Sequence, residues 1–258
     1  MAGILVVTGG GRGIGAAVAR LGAAQGYAVA VNYAERPQRA DAVVRDIRER
    51  GGRAIAVQAD VSREADVERL FASVDNELGR LTALVNNAGI GPGFGPIEEI
   101  GPADMRRTLE VNALGPLLCS AAAMRRMPRR HGGPGGAIVN VGSAASRIGG
   151  PGAFVHYAAS KGAVDSLTVG LGKEAMPEGV RVNCVRPGVT DTEMIRGGPD
   201  APTEPGNDEW LDGVLRTLPI GRLAAPEEVA RTILWLLSDE ASYVTGAILD
   251  VSGGRATP

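Results

Sequence analysis

Residues 8–15 read TGGGRGIG and follow directly on the apolar run ILVVT at 4–8. A short β-branched run of that kind reads as a strand buried on both faces. The glycines after it let the chain turn sharply and let a ligand approach backbone amides where a helix begins. A glycine cluster alone marks many ordinary turns. Its place in the first strand–turn–helix unit is what points to a pyrophosphate cradle. The spacing is not the strict GxGxxG, although a relaxed form, Gly11-x-Gly13-x-x-Ala16, can be traced.

Working outward, the same alternation continues to the end of the chain. AVAVN (28–32), AIAVQ (54–58), ALVNN (83–87), AIVNVG (137–142), VRVNCV (180–185) and AILDV (247–251) read as six more strands. Between them lie amphipathic helices: Val67, Leu70, Phe71, Val74 and Leu78 trace one buried stripe. Pro226 followed by two acids opens another helix. Strand–helix alternation predicts a doubly wound α/β fold, a seven-stranded parallel sheet with helices on both faces. No linker divides residues 1–258, so one domain is expected. Residues 190–218, rich in Gly, Pro and Asp, break the rhythm and read as an unstructured lid after a strand end.

Composition narrows the function. With 27 basic and 29 acidic side chains the formal net charge is -2, which offers no footprint for nucleic acid or an anionic membrane. The basic run Arg125, Arg126, Arg129 and Arg130 reads as a solvated helix end before strand five. Only 3% of residues are aromatic, so the core is built from small aliphatics. No apolar run reaches the roughly 18 residues that cross a bilayer. Cys119 and Cys184 form no CxxC pattern and read as buried apolar residues of a reducing compartment, so a cytoplasmic protein is expected. Two histidines without acids or cysteines at ligand spacing give a metal site no support, and His156 reads as a packing residue or pocket wall.

Further motifs fall in a fixed order. Thr8-Gly9-x-x-x-Gly13-x-Gly15 is followed by NNAG (86–89), Asn112, Ser143 in VGSAAS, Tyr157-x-x-x-Lys161, and RPGVTDT (186–192). In this order and spacing the chain resembles the short-chain dehydrogenase/reductase family over essentially its whole length. It stands near bacterial uncharacterised oxidoreductases, glucose 1-dehydrogenases and 3-oxoacyl-acyl-carrier-protein reductases. The resemblance implies a Rossmann-type dinucleotide fold, hydride exchange between a nicotinamide and a carbonyl or secondary alcohol, and a homotetramer. Its usual contacts would be the last strand and two long helices.

That chemistry needs a proton donor, because hydride addition leaves negative charge on the carbonyl oxygen. A free tyrosine, with pKa near 10, is a sluggish acid, and a nearby cation favours its anion. Four residues on a helix advance about 400°, so Tyr157 and Lys161 emerge on nearly one face. Alone, such a pair is usually an exposed helix face; its company gives it meaning. By resemblance Tyr157 is the general acid and base, and Lys161 favours the tyrosinate and holds the nicotinamide ribose. Ser143 would orient the carbonyl, and Asn112 would anchor a water linking Lys161 to solvent. Small residues at Ala158 and Ala159 would keep packing around the site clear.

The resemblance also implies a cofactor shell of Thr8, Gly9, Gly11, Arg12, Gly13, Ile14, Gly15, Asn87, Ala88, Gly89, Pro187, Gly188, Thr190 and Thr192. It adds Asp60 and Val61, which would meet the adenine, and gives Thr192 the carboxamide. Where the family more often has Ile or Val, this chain has Thr190. NAD enzymes often place an acid near the end of strand two; here Asn32 stands there. A carboxylate would repel a 2′-phosphate, whereas Arg12 and Arg36 can bind one, so NADP(H) is expected over NAD(H). Glu35 is the dissenting residue. A roomy pocket is expected from residues 144–151, with Arg147 facing either an anion or solvent. The specific substrate is not encoded legibly. A nucleotide-binding sensor without catalysis is the alternative class.

Overall fold

The computed structural model describes residues 3–91, 93–196 and 208–256, with side chains in the last stretch from residue 211 onward. Its strands are β1 (Ile4–Val7), β2 (Ala28–Tyr33), β3 (Ala54–Gln58), β4 (Leu81–Asn86), β5 (Gly136–Val141), β6 (Val180–Pro187) and β7 (Ile248–Val251). All neighbours pair in parallel in the order β3-β2-β1-β4-β5-β6-β7. The seven expected strands are therefore present. β4 begins two residues earlier than the apolar run suggested, because Leu81 pairs with Ile4, and β6 runs on to Pro187 against Val251.

Helices cover both faces: α1 (Gly13–Ala24), α2 (Pro37–Glu49), α3 (Glu64–Glu77), α4 (Pro102–Leu109), α5 (Gly115–Met124), the short α6 (Ala145–Ile148), α7 (Val155–Ala175), α8 (Asp208–Thr217) and α9 (Pro226–Leu237). Period-two alternation in the strands decides which face each side chain serves. Leu5, Val7, Val29 and Val31 point to one core with α1, α2 and α9, through Val18, Val43, Ile47 and Ile233. Val6, Ala30, Leu84 and Ile138 point to the other, with Leu70, Phe71 and Val74 of α3 and Ala122 of α5. The α3 stripe is buried as its periodicity predicts. Truncating the fully buried Phe71 to alanine would cost about 3–5 kcal/mol.

The stretch 190–218 differs from the unstructured lid expected of it. Its residues 208–217 form α8, and Thr190 bridges to Ala224. Val214 and Leu218 pack on Val189, with Leu215 beside them. The stripe Leu211, Val214, Leu215, Leu218 has helical spacing, a signal hidden by the Gly, Pro and Asp around it. Residues 197–207 of the expected lid lie outside the described residues. The arginine run also sits one step further on: α5 ends at Met124, so Arg125–Arg130 lie on the connection to β5. Arg125 pairs with Glu68, Arg126 with Asp75 and Arg130 with Glu178, which is the solvated face expected.

The order of the sheet reverses between β1 and β4, and the crevice beyond the carboxyl ends of those two strands is where open α/β sheets bind ligands. No helix among the described residues is long and apolar enough to cross a membrane.

Candidate active site

One long cleft occupies that crevice. Its floor is the glycine turn. Gly13 opens α1 at φ +50°, and a Cβ on Gly15 would lie 2.4 Å from the Gly9 carbonyl and 2.5 Å from Asn87 Nδ2. Only glycine allows that approach of α1 to the turn. No side chain caps the amides at the start of α1, and no acid stands in its first turn. A helix start with open amides facing a cleft favours an anion. The residues present therefore fit the pyrophosphate of a dinucleotide.

Thr8, Asn32 and Asn87 hold this floor, and Asn32 and Asn87 also line the cleft. Thr8 Oγ1 accepts hydrogen bonds from Asn87 N at 2.9 Å and Ala88 N at 3.0 Å. Asn87 Nδ2 donates to the Thr8 and Gly9 carbonyls. Asn32 is buried; its amide donates to Ala59 O at 2.9 Å and Val57 O at 3.3 Å, and its Oδ1 accepts from Gly9 N at 3.2 Å. Asn32 thus ties β2 to β3 and to the turn, with its polar atoms spent there.

Around the end of β2 the cleft is lined by Tyr33, Ala34, Glu35, Arg36 and Arg39, facing Arg12 of the turn. Glu193 pairs with both Arg39 and Arg12, the latter at 3.6 Å. The Arg39 guanidinium, with Arg12 behind it, holds the Glu193 carboxyl below its ordinary range. Sequence reasoning missed Arg39 and Glu193, since each sits in an unremarkable local context. Asp60 and Val61 line the next wall. Burial raises the Asp60 pKa, but hydrogen bonds from Ser62 and from Arg107, at 2.9 Å, outweigh it and leave the carboxyl below its usual value.

At the other end Ser143, Tyr157 and Lys161 line the same cleft. Ser143 follows β5 just ahead of the short α6, its Oγ accepting from Ala145 N at 3.1 Å. Tyr157 and Lys161 share a face of α7, with Lys161 Nζ 5.7 Å from the Tyr157 ring centroid. Lys161 is buried and donates to Val141 O at 2.9 Å, which pins the cation to β5. Phe154 meets the Tyr157 ring edge-on at 6.2 Å, and Phe94 lies 6.4 Å beyond Phe154. Of these aromatics Phe154 and Tyr157 line the cleft. Ala158 is buried as expected, whereas Ala159 is exposed, so packing within this chain does not explain its small size.

Asn112 stands behind the cleft, fully buried. Its Oδ1 accepts from Ile90 N at 2.9 Å and its Nδ2 donates to Ile90 O at 2.8 Å and Ser160 Oγ at 3.1 Å. It lies in a π-helical turn between α4 and α5, where Gly115 N bonds back to Glu110 O. Such single-turn insertions collect at functional sites. Pro116, four residues on, has no N–H to give the Asn112 carbonyl. Behind it, Asn86 Nδ2 donates to Asn140 Oδ1 at 2.8 Å and Asn140 Nδ2 to Thr168 Oγ1 at 2.9 Å, a buried chain joining β4, β5 and α7.

Pro187, Gly188, Thr190 and Thr192 also line the cleft, as do Gly9, Gly11, Gly13, Ile14, Ala88 and Gly89; Thr8, Gly15 and Asn112 do not. Of residues 144–151 only Ala144, Ala145 and Ile148 do so. Arg147 is taken up by Asp250 at 3.2 Å, and His156 is buried in α7 away from the cleft lining. Cys119 and Cys184 are buried free thiols, each pushed up to about 12 by burial. Among the described residues no cluster of His, Cys, Asp or Glu forms a metal site.

Known proteins match the chain over nearly its whole length. A family model described as Enoyl-(Acyl carrier protein) reductase matches residues 9–256. The chain is 48% identical to the Uncharacterized oxidoreductase YgfF of Escherichia coli strain K12, over 98% of this chain and 99% of that one. A blue fluorescent protein from a metagenomic library, solved in complex with NADPH, superposes with TM-score 0.88 at 34% identity, covering 98% of each chain. The 3-ketoacyl-(acyl-carrier-protein) reductase of Brucella melitensis, solved with NADH, does so with TM-score 0.88 at 30% identity, again over 98% of each.

Proposed function

We propose that this chain, which belongs to the short-chain dehydrogenase/reductase family of oxidoreductases, uses NADP(H) to interconvert a carbonyl and a secondary alcohol. The observation that carries the reading is one cleft joining an uncapped helix start to Ser143, Tyr157 and Lys161. When bound, the nicotinamide supplies or accepts the hydride. The remaining chemistry falls to side chains of this protein. Tyr157 gives the proton to the carbonyl oxygen in reduction and removes it in oxidation. Lys161, fixed against β5 and beside the Tyr157 ring, favours the tyrosinate by its charge. Ser143 donates a hydrogen bond to the oxygen as charge develops. Asn112 positions the loop at Ile90 and, through Ser160, the helix that carries both residues.

Preference for the 2′-phosphate is supported by Arg12, Arg36 and Arg39 around the end of β2 and by the inward turn of Asn32. Charge-assisted bonds from guanidinium to phosphate are the strong kind. The reading includes a cytoplasmic homotetramer. It is supported by apolar residues left exposed on α4, α5 and α7, namely Leu109, Leu117, Val155 and Val169, and on a second face by Trp235 and Leu249. Light scattering on a size-exclusion column should give the mass of four chains.

The test is NADPH consumption against ketones, sugars and oxoacyl thioesters, run beside a cofactor-binding titration. Oxidation of NADPH by at least one carbonyl, with NADH used less well, is the expected result. Binding without turnover across the whole panel would favour a nucleotide sensor instead.

A further inference from the structure

Five cations other than Arg36 line the cleft, and four of them are committed within the chain. Arg12 and Arg39 hold Glu193, Arg107 holds Asp60, and Lys161 holds the Val141 carbonyl. Arg36 stands at the far end, opening α2 beside β2. The fifth is Arg255, near the carboxyl end of the chain, which has no ion pair and no side-chain hydrogen bond among the described residues. The acids that line the cleft are Glu35, Asp60, Asp104 and Glu193, and none is paired with it.

Arg255 does not sit on a loose tail. Gly188 N donates to Val251 O at 2.9 Å, Ile220 N to Gly253 O at 3.2 Å, Arg255 N to Ser252 O at 3.2 Å and Ala256 N to Ser252 Oγ at 3.2 Å. A Cβ on Gly188 would strike the Ser252 backbone at 2.7 Å. The loop it rests on is in turn tied to the catalytic serine's segment, because Ala144 N donates to Pro187 O at 2.9 Å. This relay places the C-terminal turn at the Ser143 end of the cleft rather than the adenosine end. Apolar side chains of Ile148, Phe154, Val189 and Met194 line the same cleft, beside Ser143, Tyr157 and Lys161.

A guanidinium keeps its charge under all ordinary conditions, and a partly buried one lacks some of the water that would otherwise satisfy it. Burial pushes the pKa of the Arg255 guanidinium down, with no acid among the described residues opposing that effect. An arginine lining a cleft without an acid of its own suits a planar oxyanion, which it binds through two parallel N–H bonds.

We propose that Arg255 is the anion-recognising residue of the substrate pocket, and that the substrate is an oxo acid or hydroxy acid whose carboxylate it binds. The inference rests on the oxidoreductase reading above and narrows its substrate class. Arg147, the other basic residue near this pocket in sequence, is neutralised by Asp250 and takes no part.

The probe is a graded series: 3-oxobutanoate, 4-oxopentanoate and 5-oxohexanoate, each beside its methyl ester. Wild type should prefer at least one acid over its ester by about 10- to 100-fold in kcat/KM, the worth of a hydrogen-bonded ion contact. Arg255→Ala should erase that preference mainly through KM, with ester turnover and melting temperature unchanged, and Arg255→Lys should restore part of it. Equal use of acids and esters, or an equal fall for both in Arg255→Ala, would overturn the inference while leaving the oxidoreductase reading intact. If neither this series nor the wider panel oxidises NADPH, the oxidoreductase reading fails. Calorimetric titration of the three acids into cofactor-loaded protein then decides for Arg255 alone: binding weakened about tenfold or more in Arg255→Ala upholds the anion site, and equal or absent binding removes it.

Discussion

At the end of the cleft under α1, backbone builds the site: open amides, a glycine turn, and Thr8, Asn32 and Asn87 spending their polar atoms to hold that turn. At the other end, side chains from three distant stretches converge: Ser143 with Ile148, Phe154 and Tyr157 with Lys161, and the C-terminal turn with Arg255. Backbone geometry admits few residue types, so the first end is rigidly specified. Side chains on a wall can be exchanged while the fold survives, so the second end is free to define a substrate. The same contrast separates two helix starts. α9 is closed by Glu228, which accepts from Ala225 N at 2.8 Å, whereas α1 is left open toward the cleft.

The largest effect should come from breaking the backbone end. Gly15→Val drives its Cβ into the Gly9 carbonyl and Asn87, an overpacking that costs about 1–3 kcal/mol or more. Thermal unfolding should show the drop, and NADPH titration should show binding lost. A valine variant that melts and binds like wild type would contradict the close approach described for α1.

A smaller effect should follow from Glu193→Gln, which removes the carboxylate charge facing Arg12 and Arg39 at the rim. Exposed pairs of this kind are worth about 0.2–1 kcal/mol, so the Kd for NADPH should tighten about 1.5- to 5-fold with that for NADH unchanged. Equal tightening for both cofactors would place the 2′-phosphate elsewhere.

The smallest concerns α9. The Arg222 guanidinium, with the Ala225 amide, holds Glu228 at about 2 against an ordinary 4.5. A depressed carboxyl stabilises the fold above its unfolded pKa and loses that contribution as pH falls through the folded one. Stability should therefore decline between about pH 4.5 and 2, and Glu228→Gln should flatten part of that decline in melting temperature. An unchanged acid limb in the variant would show that the cap contributes nothing measurable.

The seven strands and the glycine turn could be read from the chain, because each follows from a period or from a residue type that backbone geometry demands; the pair on α7 gained its meaning only from the resemblance. Val67, Leu70, Phe71 and Val74 announce their helix by spacing alone. Asn32 shows the limit: its position at the end of β2 was legible, but not that its amide turns inward to β3. Glu193 and Arg39 are 154 residues apart and meet only through the fold. Arg255 looks like part of a polar tail until Gly188 and Ser252 are seen packed together. Helix α8 was obscured by the Gly, Pro and Asp that precede its apolar stripe.

The central claim is that Tyr157 moves the proton at the carbonyl oxygen, and Tyr157→Phe tests it with the least change of shape. Steady-state NADPH oxidation with an accepted carbonyl should fall by about 10²- to 10⁴-fold, while NADPH binding, measured by titration of the same protein, stays at the wild-type value. Turnover at the wild-type rate in the phenylalanine variant would contradict the account.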